Sequence, residues 1–317
     1  MDKIFHLSIF ENNNVLIIVG LIFGILSIVS FGLFVFGKIK PEANIKELKS
    51  RTKSWWVMSA MFVGATVFST KISYIAIAFL SFVAFREFYS LLGFRQSDRR
   101  AIFWAFLAIP IQYYLAYLGW YGAYIIFIPV VMFLFLPLRL VLKGDTKGII
   151  NSMASLQWIL MLTVFGISHM AYLLSLPEIE GFSAGGRGLL LFLVFLTEIN
   201  DVMQFVWGKL FGKHKIIPKI SPNKTWEGFV GGVISTTAIG FGLGFLTPLS
   251  TEYLLIVSFL VAIAGFFGDV VMSSVKRDIG VKDTGTTIPG HGGVLDRIDS
   301  LAYTAPVFFH LVYYIAY

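Results

Sequence analysis

Runs of roughly 20 apolar residues recur along the chain between short polar breaks, each long enough to cross a bilayer as an α-helix. This constrains the fold more than any other feature. In lipid, every backbone N–H and C=O has to be bonded within the protein, and a helix does this alone. The runs fall at 15–36, 55–70, 72–92, 102–118, 121–142, 155–176, 188–211, 228–246, 253–275 and 301–317. The expectation is an all-α, polytopic integral membrane protein with about ten transmembrane helices. Composition agrees. Hydrophobic residues make up 57% of the chain and charged residues 14%, against about 25% charge in soluble domains. Mean hydropathy is +0.80.

The polar breaks carry most of the charge, and it is unevenly shared. If the connection at 37–54 is cytoplasmic, alternation puts all 25 Lys and Arg residues on that side except Lys3, Lys71 and Arg187. That is the positive-inside bias. It expects a multi-pass cell-membrane protein with both termini on the opposite side. It also accounts for the net charge of +7 without a nucleic-acid partner. Asp2, Lys3 and Glu11 precede the first run, which reads as a retained helix rather than a cleaved leader. Cysteine is absent, which excludes disulfides and thiolate metal sites.

No long soluble segment interrupts the pattern, so 1–317 reads as one membrane domain. Within it, 1–187 reads as an N-terminal helical bundle and 188–317 as the portion that carries chemistry. The first three basic connections read as anchors to anionic headgroups. The last two, 208–227 and 276–300, mix Gly, Pro, Ser and Thr with both signs of charge.

From Ser274 to Asp299 the sequence reads SVKRDIGVKDTGTTIPGHGGVLDRID. Interleaved Asp and Lys/Arg suit metal-bridged phosphate binding: carboxylate oxygens hold Mg²⁺, and ammonium and guanidinium groups hold phosphoryl oxygens. Gly290, Gly292 and Gly293 would let backbone approach a ligand closely. Upstream, Asp269, Ser273, Lys276 and Arg277 share one helical face. Asp269 lies roughly 12 Å deeper than Arg277 at 1.5 Å per residue, where a carboxylate is costly and marks function. Glu198, Asp201 and Gln204 form a second stripe, with Asn200 beside them. Ser221, Lys224 and Thr225, in PKISPNKTWEG at 218–228, are candidate phosphate donors, and Glu227 is a candidate cap or ion-pair partner. The segment 280–287 approaches a P-loop but lacks its lysine and follows no strand. Gly20-x-x-x-Gly24 and Gly240-x-x-x-Gly244 could pack helices or support a homodimer.

This signature resembles that of the phosphatidate cytidylyltransferases, the CDP-diacylglycerol synthases. The resemblance rests on Ser274-Val275-Lys276-Arg277, Lys282-Asp283, Pro289-Gly290-His291-Gly292-Gly293 and Asp296-Arg297-Ile298-Asp299. Pro218–Gly232 and Gly268-Asp269 add to it. It covers about the C-terminal third and implies that CTP and phosphatidate give CDP-diacylglycerol and pyrophosphate, with Mg²⁺ as cofactor and room for a second cation. A lipid phosphate near neutral pH is already largely dianionic, so the task is to bring two polyanions together rather than to abstract a proton. By carry-over, Asp269, Asp296, Lys276 and Arg277 would serve catalysis, and Asp269, Asp296, Asp283 and Asp299 would hold metal. Ser221, Lys224, Thr225, Asn200, Asp201, Lys282, His291 and Arg297 would bind substrate. The chain departs from the family after Asn200-Asp201, where a T-G-A-Y-F-like run is replaced by Val202-Met203-Gln204-Phe205. Membrane lipids are the expected surroundings. The alternatives are another lipid phosphate as acceptor or, in a different class, an anion transporter.

Overall fold

A computed structural model describes residues 13–40, 45–290 and 292–317. The helices are α1 (Asn13–Ile39), α2 (Lys46–Phe68), α3 (Thr70–Leu91), α4 (Arg99–Tyr117), α5 (Tyr121–Val141), α6 (Ile149–Ser175), α7 (Gly185–Phe211), α8 (Trp226–Gly242), α9 (Thr251–Asp278), α10 (Leu295–Ile298) and α11 (Leu301–Ala316). Among the described residues, extended pairing is limited to the isolated bridges Lys215–Thr225 and Ile288–Gly292. The all-α expectation holds.

Among the described residues, six helices are long and apolar enough to cross a membrane: α1, α3, α5, α6, α7 and α9. The expected count of about ten spans is not supported by these six. Helices α8 and α11 have 17 and 16 residues, short of the ~20 that span a bilayer. Helix α2 opens with Lys46, Glu47, Lys49, Arg51 and Lys53, and the 19-residue α4 opens with Arg99 and Arg100. Apolar runs in sequence do not reveal how much of a helix its charged first turns take up.

Helix α6 lies at the centre, with 72% of its apolar window buried, whereas α1 lies at the periphery with 17%. Parts of α5 and α6, at 127–132 and 160–166, wind as π-helix, a departure common near functional sites. Helices α7, α8, α9 and α11 pack as a group beside them. The approach of α8 to α7 is backbone to backbone. A Cβ on Gly232 would fall 3.1 Å from the Gln204 backbone, and one on Gly228 would fall 2.8 Å from the Gln204 carbonyl oxygen. Small residues at such crossings let helices associate in lipid. Of the spaced glycine pairs, Gly240 and Gly244 pack within the chain, against Ser258 and Leu254, while Gly20 and Gly24 face open space.

Two of the basic connections are tied to each other within the protein. The Arg95 guanidinium pairs with the buried Asp98 at 2.7 Å and donates to the Lys147 carbonyl, joining the α3–α4 and α5–α6 connections.

Gly232→Val is expected to lower the thermal midpoint in detergent, at a cost of roughly 1–3 kcal/mol for overpacking. Gly242, where an added Cβ would meet nothing within 4 Å, should accept the same change with a smaller effect.

Candidate active site

At one end of the bundle, α7 and α9 each present a polar stripe to the loops that follow them. The α7 stripe brings Glu198, Asp201 and Gln204 inward, and α9 brings Asp269, Ser273 and Lys276. Beyond α7, the connection at 212–225 folds back and supplies Lys224. Beyond α9, the loop runs through the short α10 to Ser300, supplying Asp296, Arg297 and Asp299.

Two lysines organise these acids. Lys224 Nζ lies 2.6 Å from Asp269 Oδ2 and donates to Gln204 Oε1 at 3.1 Å. It therefore ties its loop to both α9 and α7. Ser273 donates to the other Asp269 oxygen at 3.2 Å. Lys276 Nζ donates to Asp296 Oδ1 at 2.8 Å and stands 3.8 Å from Asp299 Oδ2. Asp201 accepts from the Ser300 hydroxyl at 3.0 Å. Gly268 allows α9 to approach the α10–α11 junction: a Cβ there would lie 2.8 Å from the Asp299 carbonyl oxygen and 3.2 Å from Tyr303 Cβ. One turn deeper, Asn200 bonds Thr236 and the Ala262 carbonyl, each at 3.1 Å. It ties α7 to α8 and α9 rather than facing the loops.

The loop residues sense this crowding of charge. Burial pushes the Asp299 carboxyl up to about 7, with Asp269 and Asp201 adding to the push and Lys276 and Arg297 opposing it. Burial also opposes charge on Asp296. There, Lys276 and the N–H groups of Gly293 and Thr284 outweigh it and hold the carboxyl below its usual range. Burial works against the Lys224 ammonium too, and Asp269 and Asp201 outweigh it and raise its pKa.

Asp296 also closes the signature loop. Its Oδ2 accepts from Thr284 N at 2.8 Å, Thr284 Oγ1 at 3.0 Å and Gly293 N at 2.9 Å. Gly290 and Gly292 have φ of 76° and 82°, a left-handed conformation that favours glycine. A Cβ on Gly292 would fall 2.5 Å from Asp296 Oδ2. The approach these glycines permit is thus in part to the protein's own carboxylates.

The remaining candidates are placed as follows. Arg277 turns outward and donates to the carbonyls of Ile220 at 3.3 Å and Val281 at 3.0 Å, stapling two loops together. Thr225 caps α8, accepting from Gly228 N at 3.2 Å. Glu227 accepts from Lys213 N, His214 N and His214 Nδ1. The His214 contact leads the groups that bring its carboxyl down to about 2. Ser221 lies in the turn before Lys224, whose N–H donates to its carbonyl at 3.3 Å. Lys282 and Asp283 are exposed on the loop. His291 lies outside the described residues. Within the departure at 202–205, Val202 and Phe205 are exposed, Met203 is half-buried and Gln204 is buried.

Sequence reasoning missed two residues of this region. Glu87 on α3 accepts from Leu295 N at 2.7 Å, and Ser54 on α2 donates to the Pro289 carbonyl at 2.7 Å. These contacts join residues 208 and 235 positions apart, and neither Glu87 nor Ser54 sits in a motif.

Donor chemistry here suits a hard divalent cation: the acids outnumber the bases, and Asp201 Oδ1 is buried with no protein partner. Among the described residues, no three His, Asp or Glu side chains are already gathered as a metal cage. Beside the cluster runs an apolar groove of about 830 Å³, with Phe133, Met153, Trp158, Phe165, Tyr303 and Pro306 among its lining residues. Tyr303 belongs to both regions, since it packs on Gly268 and lines the groove.

The chain matches the model of the cytidylyltransferase family over residues 49–315. It is 41% identical over 278 residues to the uncharacterized protein YnbB of Escherichia coli (strain K12), a match that takes in 87% of this chain and 91% of that one. It is 41% identical over 124 residues to a phosphatidate cytidylyltransferase of Staphylococcus haemolyticus (strain JCSC1435), and 38% identical over 146 residues to one of Mycobacterium leprae (strain TN). Those two matches take in 38% and 46% of this chain, and 48% and 47% of the relatives, so the chain spans about half the length of each. With the family match running over most of its length, this helical membrane protein belongs to the cytidylyltransferase family and is a nucleotidyltransferase.

Proposed function

We propose that the protein transfers the cytidylyl group of CTP to a lipid phosphate, with phosphatidate as the first candidate, at the cytoplasmic leaflet. A phosphatidate oxygen attacks the α-phosphorus, the bond to the β-phosphate breaks, and pyrophosphate leaves. The observation that carries this reading is the junction at Tyr303, where an acidic and basic cluster meets an apolar groove. The groove volume lies within the ~300–1,000 Å³ typical of small-molecule sites. A lipid phosphate needs both surfaces at once. The cluster also lies at the helix ends richest in Lys and Arg, which supports the cytoplasmic assignment.

Mg²⁺ would be held by Asp269 and Asp299, with Asp201 Oδ1 and Asp296 Oδ1 as further oxygens. When bound it supplies neutralisation and alignment of the phosphates. Lys276, Lys224 and Arg297 bring fixed positive charge to the same cluster, and Ser221 stands at its rim. Thr225 and Arg277 hold the surrounding loops in place. Exposed Lys282 and Asp283 would face the outer, solvent side of the nucleotide. The reaction needs no strong base, because the attacking phosphate already carries its charge.

A second acceptor is favoured by one residue. Gln204 sits where the family run departs, and its Nε2 is buried with no protein partner. A different lipid phosphate, or a different headgroup shape, would use that donor.

Incubation of the purified protein with labelled CTP, Mg²⁺ and a panel of lipid phosphates should yield pyrophosphate and a CDP-lipid. Absence of product with every acceptor, beside an active relative, would sink the proposal. Asp269→Asn should abolish turnover. Lys224→Met should cost about 2–3 kcal/mol of stability, discounted from the larger penalty of a fully buried pair because the side chains keep 18% and 25% exposure. Adding Asp269→Asn to Lys224→Met should recover part of that loss in thermal unfolding, since position 269 then no longer carries the charge that Lys224 balanced.

The Asp299 carboxyl, titrating at about 7, is partly protonated at neutral pH. Mg²⁺ binding at pH 7 should therefore release protons, because a cation favours the carboxylate. The raised pKa also means that, without metal, stability is gained as pH falls from about 7 toward the unfolded value and lost as it rises through 7. Calorimetry in buffers of different ionisation enthalpy measures the release, and Asp299→Asn should remove it. Binding with no proton release in the native protein would exclude Asp299 as a ligand.

A further inference from the structure

The signature loop is held from the N-terminal half of the chain chiefly by the Glu87 carboxylate. Glu87, in the last turns of α3, reaches across to residues 284–295. Its Oε2 accepts from Leu295 N at 2.7 Å and lies 3.3 Å from Thr284 Oγ1, whose one proton it shares with Asp296, and its Oε1 accepts from Thr287 Oγ1 at 3.3 Å. Two glycines of the signature make room for it. A Cβ on Gly293 would lie 2.5 Å from Glu87 Cδ, and one on Gly285 would lie 3.2 Å from it. Any larger residue would push the carboxylate away. Ser54 on α2 supports the same loop through the Pro289 carbonyl.

Thr284 gives this contact its meaning. Its hydroxyl lies within hydrogen-bond distance of both Glu87 Oε2 and Asp296 Oδ2, at 3.3 and 3.0 Å. Asp296 in turn is paired with Lys276. A chain of contacts therefore runs from α3 through Thr284 to Asp296 and Lys276 on α9. We infer that Glu87 is a positioning residue for the transfer reaction: it sets the loop at 284–295, and with it the placement of Asp296 against Lys276. This deepens the proposed function and rests on the reading that Asp296 and Lys276 belong to the reacting site. Glu87 itself touches neither of them.

Charge and shape at position 87 can be separated. Glutamine keeps an acceptor for Leu295 N and can donate to the threonine hydroxyls. Alanine removes a charged acceptor of the Leu295 N–H and the Thr287 hydroxyl, together with the longer of the two contacts that share the Thr284 hydroxyl proton. Removal of such an acceptor corresponds to about tenfold or more.

The test uses the full-length protein in detergent and compares Glu87→Ala, Glu87→Gln, Gly285→Ala and the double variant Glu87→Ala/Gly285→Ala with the native chain. Hydrogen–deuterium exchange is read across 284–295, and kcat and KM are read for cytidylyl transfer. Glu87→Ala should speed exchange at 284–295 about tenfold or more and lower kcat by a similar factor, with the thermal midpoint and lipid KM nearly unchanged. Glu87→Gln should stay within about threefold of native on both readouts, since it retains part of the bonding. Gly285→Ala should resemble Glu87→Ala, and the double variant should be no worse than either single one, because both remove the same contact. Losses that multiply in the double variant would overturn the inference. So would unchanged exchange at 284–295 in Glu87→Ala, or a rise in exchange spread evenly over all helices. If the native protein makes no CDP-lipid, the proposed reaction fails, while the exchange comparison still decides whether Glu87 holds the loop.

Discussion

Placing carboxylates at the end of apolar helices is costly, and most of the site's architecture can be traced to how that cost is met. Asp269 and Asp201 project from helices that otherwise suit lipid. Lys224 arrives from the connection after α7 and bonds Asp269 and Gln204 together. Lys276, on α9, serves Asp296 and stands near Asp299, and both of these acids arrive with the loop that follows. Since each ion pair joins a helix to a loop, both loops have to return to the helix ends, and their folds follow. Arg277 joins the two returning loops at their outer edge.

The same balance suggests how substrate enters the account. An ammonium already engaged with a carboxylate can exchange that partner for a phosphate oxygen if a metal ion takes over the carboxylate. The proposed chemistry would therefore replace one set of charge pairs with another. The groove at Tyr303 adds an apolar wall that charge alone would not provide.

Much of this was legible in the sequence, for reasons of periodicity. The stripes at 198, 201 and 204 and at 269, 273 and 276 are helical spacings, and they do face the same cluster. The spacing could not show that Arg277, one position further, turns away to bind carbonyls. Nor could it separate Thr225 the helix cap from Thr225 the phosphate donor, since a hydroxyl before a helix suits both. The ten apolar runs and the six long apolar helices differ in number because a run marks hydrophobicity alone, whereas the helices also needed length and few charges. Glu87 was invisible for a different reason. It is one acid beside one arginine near a helix end, and only the folded chain brings it within 2.7 Å of Leu295 N.

Helices α7 and α9 have 27 and 28 residues, or about 40 Å each at 1.5 Å per residue. The hydrocarbon layer is only about 30 Å thick. Both helices are therefore longer than that layer is thick, with tilt available to take up part of the excess. Their neighbours α8 and α11 are too short to do the same. On the proposed reading, this difference in length would bring the acidic cluster toward the depth of the phospholipid phosphates. On the proposed reading, the acceptor lipid would not have to be extracted from the bilayer. It would arrive by lateral diffusion in two dimensions with its tails still solvated by hydrocarbon, while the nucleotide approached from water.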